Sequence, residues 1–504
     1  MKKKGLAVIL IVALLMATLA ACSGGGGSNE PAADEKRTDV NIYSEGVFTS
    51  LNPYGVGCTA YVNMYLLYQL YDTLVQVNDA GEILPSLATA WEPNADGTEY
   101  TFTLREGVKF HNGEEMKASD VAYSINRAMT EAPLEPYYRY ISSVEAADDY
   151  TVVFKLKAAY IPFVSDLINF PIVSEAFAVN SDLLTEECGT GAYMLQSIDM
   201  NTGATLVAFD DYWRGEPSIK TANWKVITEG TTASVAFERG ELDVFFCYNV
   251  SAFAPLEETG KYNTQLATQK HTAVILLNNK VAPLDNKLVR QALSYATDRD
   301  TMITIAYEGL ASPTYLMANP SSWGVPEDLW YNHYEYNLDK AKELLAEAGY
   351  PDGLDLGDMT VISGSYHEKY AQVWQNSLSQ IGVKINLVGS ESAVADTTSH
   401  NYVTATMGES FTSDFAFTSQ FYTGNNKTQY DNARVAELYD KAAVETDQDA
   451  RAAMYREAIE IIFDECTCIP IFNKQVPWVW DKNLNAEFHM DGGRPYYVYD
   501  MSWN

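Results

Sequence analysis

The chain has 504 residues, 47% of them hydrophobic, and a formal net charge of −33 at pH 7. That length is enough for more than one buried core. The acidic balance argues against nucleic acid or an anionic membrane surface as a partner, because both are held through basic patches.

The chain opens with Lys2, Lys3 and Lys4, followed by an apolar stretch at 6–17. The stretch is too short to span a membrane comfortably and reads as the core of a signal peptide at 1–21. It ends in Leu19-Ala20-Ala21-Cys22, a lipobox in which Cys22 becomes the first mature residue and the site of lipid attachment. Residues 22–39, with Gly24 to Gly27, cannot bury a core and read as a flexible tether. No later apolar run is long enough to span a bilayer. A short strand is expected at 40–43, and the apolar run 66–75 (LLYQLYDTLV) is helix-like. Asn94-Ala95-Asp96-Gly97 is turn chemistry. Tyr100, Phe102 and Leu104 alternate with Thr101 and Thr103, the period of a half-buried strand. Ser119 is expected to cap a helix with Val121, Ala122, Ile125, Ala128 and Met129 on its apolar face.

Tyr150, Val152, Phe154 and Leu156 mark another strand. Gly189-Thr190-Gly191-Ala192-Tyr193 has the glycines of a phosphate loop, but no GK[ST] comes after it and a strand at 194–198 does. Residues 236–243 (AFERGELD) read as a helix ending at Gly240, and 273–280 (AVILLNNK) as a strand. Leu288, Val289, Ala292, Leu293 and Ala296 fall on one helical face. Asn337 is expected to cap a helix at 338–348 that Gly349-Tyr350-Pro351 stops. Two more helices are expected at 435–442 and 450–463, and the tail 483–504 is polar and aromatic. There is no internal repeat.

Beyond Cys22, five cysteines remain, at 58, 188, 247, 466 and 468. Their pairing is open; Cys466 and Cys468 read as small buried residues beside a strand, since no histidine lies near them to complete a metal site. The histidines at 111, 271, 333, 367, 400 and 489 are scattered, and neither G-x-S-x-G nor H-E-x-x-H occurs. The expectation is a binding module with no metal and no cofactor, not an enzyme. A surface hydrolase is the alternative of a different class, because carboxylates are too plentiful for counting to exclude a paired-carboxylate mechanism.

LPSLATAW at 84–91, the Asp96-Gly97 turn, YTFTLREGVKFHNGE at 100–114 and ASDVAYSINRA at 118–128 stand in an order that resembles the signature of the family-5 solute-binding proteins of ABC importers. That family includes dipeptide, oligopeptide and nickel binders. Leu51-Asn52-Pro53-Tyr54 matches its LDP turn, and the 189–193 turn resembles its GTGPY with Ala192 in place of Pro. DYWRG at 211–215, AFERGELD and PLDNKLVRQALSYATDRD at 283–300 extend the resemblance over nearly the whole mature chain. It implies an α/β fold of the three-domain periplasmic-binding-protein type (type II, cluster C), with mixed sheets and a ligand cleft between two lobes. The expected domains are 40–53 with 190–272 and 480–504, then 54–189, then 273–479. The implied role is an extracytoplasmic lipoprotein, on the periplasmic side if the host has an outer membrane. As a monomer it would deliver a small molecule or short peptide to an ABC permease and ATPase complex. An oligosaccharide ligand is the alternative, and nickel is less favoured. In peptide binders of the family an Asp between aromatics holds the ligand's ammonium. Phe411-Thr412-Ser413-Asp414-Phe415 stands at the matching place, so Asp414, flanked by Phe411 and Phe415, is the candidate anchor. Phe411 replaces the common Trp and Phe415 the usual Tyr. Residues 52–61 and 415–432 are the expected cleft loops.

Overall fold

Alternation decides the first sheet. In Glu99–Leu104 and Thr151–Leu156 the residues Tyr100, Phe102, Leu104, Val152, Phe154 and Leu156 are buried, while the exposed positions are polar. In this computed structural model, which describes residues 36–55, 61–78, 82–247, 250–317, 323–325, 327–329, 333–390, 392–410, 426–489 and 496–504, the two pair centrally in a four-stranded antiparallel sheet, flanked by Ala88–Pro93 and Ile141–Asp148. Phe102, Phe154 and Phe163 meet edge to face beneath it, each burial contributing about 1.5–3 kcal/mol. The helix Ala118–Ala128 lays Val121, Ile125 and Ala128 on the same core. Its cap is not Ser119. The helix begins two residues earlier than that cap would set, at Ala118, with Lys117 as N-cap, and the Asp120 carboxylate accepts the Lys117 amide at 2.9 Å. The run 66–75 also divides: the helix is Tyr61–Leu70, and Val75 already begins the strand Val75–Val77.

The second sheet has eleven strands. Ten run in the spatial order Lys384–Ser390, Asp355–Ile362, Thr404–Ser410, Tyr262–Leu277, Cys468–Asp481, Val244–Phe246, Asp39–Ser44, Thr221–Val226, Gly203–Ala208 and Tyr193–Asp199. Ala311–Pro313 pairs to the side of Cys468–Asp481. The strand expected at 273–280 starts eleven residues earlier, at Tyr262, and stops at Leu277. Tyr262–Leu277 and Cys468–Asp481 are long enough to serve both halves of the sheet. Their first ladder, 262–268 against 475–481, joins Val244–Phe246 and its neighbours. Their second, 272–276 against 468–473, joins Thr404–Ser410 and its neighbours. Between the two, the register shifts from Thr268 to Thr272.

Each half has its own packing. Ile275, Leu293, Met359, Tyr370, Trp374 and Ile471 form one core, with the Trp374 indole donating to Thr297 Oγ1 at 3.0 Å. Tyr43, Phe237, Phe245 and Val479 form another. A third and larger core runs under the four-stranded sheet and includes Ile42, Trp224 and Trp478. The C-terminal residues return to the first strand, where the Trp503 indole donates to the Asp39 carbonyl at 2.7 Å.

Candidate functional site

Strand direction locates the site. In one half, Asp39–Ser44, Thr221–Val226 and Val244–Phe246 are parallel, and Phe246, at a carboxyl end, lies beside Trp478. In the other half, Asp355–Ile362, Lys384–Ser390 and Thr404–Ser410 are parallel, and Ser410, at a carboxyl end, lies beside His271. Along the two crossing strands the carboxyl ends of both sets therefore converge from opposite sides on the register shift at Thr268–Thr272. Ligands of open α/β sheets bind outside strand carboxyl ends. Next in the chain after these described strand ends come Glu45, after Asp39–Ser44, and the helix Tyr366–Ser379, after Asp355–Ile362.

The described groups at this junction are unusual in charge. Lys474, opposite Ala311 in the ladder, holds its ammonium 4.3 Å above the Tyr366 ring. No carboxylate among the described residues pairs with it, and burial pulls its pKa down to about 8. His271 Nε2 and the Tyr366 hydroxyl are 3.2 Å apart. Burial first, then the Lys474 charge and His367, hold the His271 imidazole well below its usual pKa. A side chain at 408 would collide with that ring, since a Cβ there would lie 2.1 Å from Nε2; Gly408 makes the approach possible. His367, 7% exposed, is pulled down to about 3 by burial and by Lys474, so it is neutral. Its tautomer is set by its neighbour. Ser365 Oγ donates to the Ile362 carbonyl at 2.8 Å, so it accepts from His367 Nδ1 at 3.0 Å. Nε2 is left a buried acceptor with no partner among the described residues. On the other side of the junction Glu45 Oε2 is also buried without a partner among the described residues, and burial raises that carboxyl's pKa against the pull of its own backbone amide.

The signature residues do something else. His111 and Glu187 form a buried ion pair, Nδ1 to Oε2 2.7 Å, with side chains 5% and 4% exposed. Burial pulls the imidazole's pKa down, but the Glu187 charge, its hydrogen bond and the Gly191 carbonyl outweigh burial and raise it. Burial likewise opposes ionisation of Glu187, and His111 with the Leu195 and Gly189 amides overcomes it and lowers that pKa. The pair clamps the 189–193 turn to the helix end at Leu70: a Cβ at Gly191 would lie 2.4 Å from the Gln69 carbonyl oxygen, and the Gly191 amide donates to Leu70 O at 3.0 Å. These glycines permit close backbone approach, which is why they bear no phosphate-loop motif. Asp72, also buried, accepts from the Trp213 indole at 2.9 Å. Tyr54 of the LNPY turn is fully buried and donates to the Pro171 carbonyl at 2.7 Å, so that turn belongs to the core.

Cys22 and the expected anchor residues Phe411, Asp414 and Phe415 lie outside the described residues, as does Cys58. Of the expected cleft loop 415–432, the described part is tied to the sheet: Gln429 Nε2 donates to Asn278 Oδ1 at 3.0 Å. Cys188, Cys247 and Cys466 are buried free thiols, Cys468, close to Cys466 in sequence, is buried too, and no group of three metal-ligating side chains occurs among the described residues. No described helix is long and apolar enough to cross a membrane. Sequence reasoning missed Glu45, His271, Tyr366, His367 and Lys474. No local signal marks them, because chain pairing across some two hundred positions brings them to one junction.

Residues 82–429 match the family model of bacterial extracellular solute-binding proteins, family 5. The chain is 27% identical over 474 residues to the glutathione-binding protein GsiB of Salmonella paratyphi A, covering 89% of this chain and 91% of the relative. It is 29% identical over 452 residues to heme-binding protein A of Haemophilus influenzae, covering 80% and 81%. The periplasmic binding protein DppA of Helicobacter pylori, solved with the peptide STSA, superposes with a TM-score of 0.77 at 26% identity, covering 93% of this chain and 98% of that one.

Proposed function

Because the chain belongs to family 5 of the bacterial extracellular solute-binding proteins, we propose that it captures a short peptide and delivers it to an ABC permease as a lipid-anchored receptor. Its fold is the two-lobe fold of periplasmic binding proteins, and its relatives are solute-binding proteins, not enzymes. The observation that carries the peptide reading is the junction itself. Groups of opposite character without a partner among the described residues, Lys474 with the His367 acceptor on one side and Glu45 on the other, stand where two sets of strand ends converge. A peptide is dipolar and presents backbone donors and acceptors along its length, so it can bond as an added strand between such ends. The ligands named for two relatives, glutathione and the peptide STSA, support the same reading.

In this reading Asp414, between Phe411 and Phe415, holds the ligand's ammonium, and Cys22 carries the lipid that fixes the tether of 22–39 to the membrane. The protein works as a monomer. Residues 40–53, 190–272 and 480–504 form one domain, 54–189 a second and 273–479 a third. The start of the third domain, at 273, comes just after the register shift between Thr268 and Thr272, where a bend would alter few ladder bonds, which supports a hinge there. Native mass spectrometry of ligand that co-purifies with the protein tests the proposal. A peptide of a few residues is expected. A saccharide or a haem in its place would overturn the peptide reading and leave the transport role standing.

A further inference from the structure

The second and third domains touch at a place apart from the strand-end junction. The Ile161 amide, just past the strand Thr151–Leu156, donates to the Ala443 carbonyl at 2.8 Å. Ala443 is the C-cap of the helix Ala433–Ala442, so its carbonyl is a helix-end acceptor that needs a partner from outside the helix. Next to Ile161, the Tyr160 ring stacks on Tyr140 with centroids 3.8 Å apart. Burial raises the Tyr140 pKa against the Arg139 charge, and Asp166 and Asp440 add to the rise, Asp440 coming from the helix Ala433–Ala442. Arg451, on the helix Gln448–Glu465, is near enough to Tyr100 of the four-stranded sheet to oppose the rise that burial gives that phenol. Leu438, Tyr439 and Ala442 share one apolar core with Tyr100, Tyr160 and Phe163.

The bond at the centre of this contact is one that can part. Ile161 and Ala443 are half-buried, and Val444, next in the chain, is exposed. Water can therefore replace either partner, and separation loses only the small net contribution of one hydrogen bond. Such a bond also tolerates little travel, since beyond about 3.5 Å it no longer holds. A bend near Thr268–Thr272 moves 273–479 against 54–189, and Ile161 and Ala443 belong to the two parts that it moves.

We infer that the Ile161–Ala443 contact is a latch between domains, made when the lobes close and broken when they open, which favours the closed form before any solute arrives. A ligand that needs the closed form binds in proportion to the population of that form. The latch therefore raises affinity for every solute by one common factor, while selectivity stays with the cleft. The inference rests on the domain division of the transport reading and not on the identity of the solute.

The test uses the full mature chain, freed of bound ligand by denaturation and refolding. Ile161→Pro deletes the N–H that crosses between domains, and Ile161→Ala keeps it. Small-angle scattering of the ligand-free chains is expected to give Ile161→Pro a larger radius than wild type and Ile161→Ala. Random peptides of two to six residues are then titrated by calorimetry. Ile161→Pro should weaken every captured peptide by the same factor, about twofold to tenfold for one hydrogen bond. In wild type, the Ile161 amide should exchange its hydrogen more slowly once peptide is captured; Pro162 has no amide, so a short fragment isolates that signal. The exchange measurement stands even where Ile161→Pro does not fold. Equal radii, an Ile161 amide that exchanges at one rate with and without captured peptide, or a weakening that differs from peptide to peptide each overturn the latch. If wild type captures no peptide, the peptide reading fails and the radii still decide: a larger one in Ile161→Pro upholds the latch, and equal ones overturn it.

Discussion

Glu187→Gln is the most informative change to the scaffold, because its partner cannot adapt. His111 faces two acceptors, Glu187 Oε2 at 2.7 Å and the Gly191 carbonyl at 3.0 Å, so both ring nitrogens must donate and the ring is an imidazolium. Glutamine that keeps its oxygen on the Leu195 amide at 2.9 Å turns its NH2 group toward both His111 and the Gly189 amide, the two donors that share Oε2. Removing one partner of a buried pair leaves the other charge uncompensated, at about 3–5 kcal/mol. Against a stability of about 5–15 kcal/mol that is a large fraction. The pH dependence has a definite sign. His111 has a raised folded pKa, so its contribution is fully present below the unfolded value, about 6.5, and fades as pH rises through the raised value. Glu187 has a lowered folded pKa, so its contribution is present above about 4.3 and fades as pH falls through the lowered value. The gap between wild type and mutant should be widest between these limits and narrow in alkali. Urea unfolding followed by tryptophan fluorescence and by circular dichroism at pH 6 and pH 9 measures it, with coincident transitions as the check on two-state behaviour. A loss under about 1 kcal/mol at pH 6 would refute the argument. So would a gap that does not change by pH 9, or a His111→Gln/Glu187→Gln double mutant whose losses simply add.

Gly191→Ala should destabilise by about 1–3 kcal/mol in the same unfolding assay, because the new Cβ would sit 2.4 Å from a fixed carbonyl oxygen; a neutral result would mean the 189–193 turn can retreat. Asp414→Asn should weaken peptide binding by about one to three decades, and acetylating the peptide's N-terminus should harm wild type comparably and the mutant little; calorimetric titrations that gave additive losses would remove Asp414 as the anchor. Cys22→Ala should leave the protein unprocessed or released into the medium, and unchanged membrane fractionation with retained acyl label would contradict lipidation. Small-angle scattering should show compaction when the true ligand binds, by bending near Thr268–Thr272, whereas one radius in both states would argue against closure.

Local structure is legible in the sequence wherever it needs only near neighbours. The alternation Tyr100-Phe102-Leu104 and the apolar face Val121-Ile125-Ala128 both form as their periods require, and Asn337 caps its helix by accepting the Lys340 amide at 2.9 Å. The misses are instructive. Ser119 suits a cap by residue type, yet the backbone of Lys117 takes that position because Asp120 is placed to bond its amide. The strand expected at 273–280 shows in sequence only through its apolar half; the polar half, 262–272, is strand because Cys468–Asp481 supplies its hydrogen bonds, and no periodicity encodes that. The candidate site is less legible still. His271, His367 and Lys474 are unremarkable in sequence, and only the pairing of three chain segments sets one beside another.

The division between legible and hidden residues reflects their roles. His111 of the signature is bonded to Glu187 and to the 189–193 turn, and Val121, Ile125 and Ala128 are buried in a lobe. These residues identify the transport role because they build one of the lobes of the family's fold. They carry no information about the solute, since none has capacity left to meet one. Glu45, His367 and Lys474 retain such capacity, and all three lie outside the motifs that carry the family resemblance. A chain of this kind can therefore keep its fold and its transporter while changing its ligand at a few junction positions. If so, exchanging Lys474 for an acidic residue should redirect capture from free to amidated peptides without loss of folded stability, and unchanged selectivity in Lys474→Glu would place recognition elsewhere.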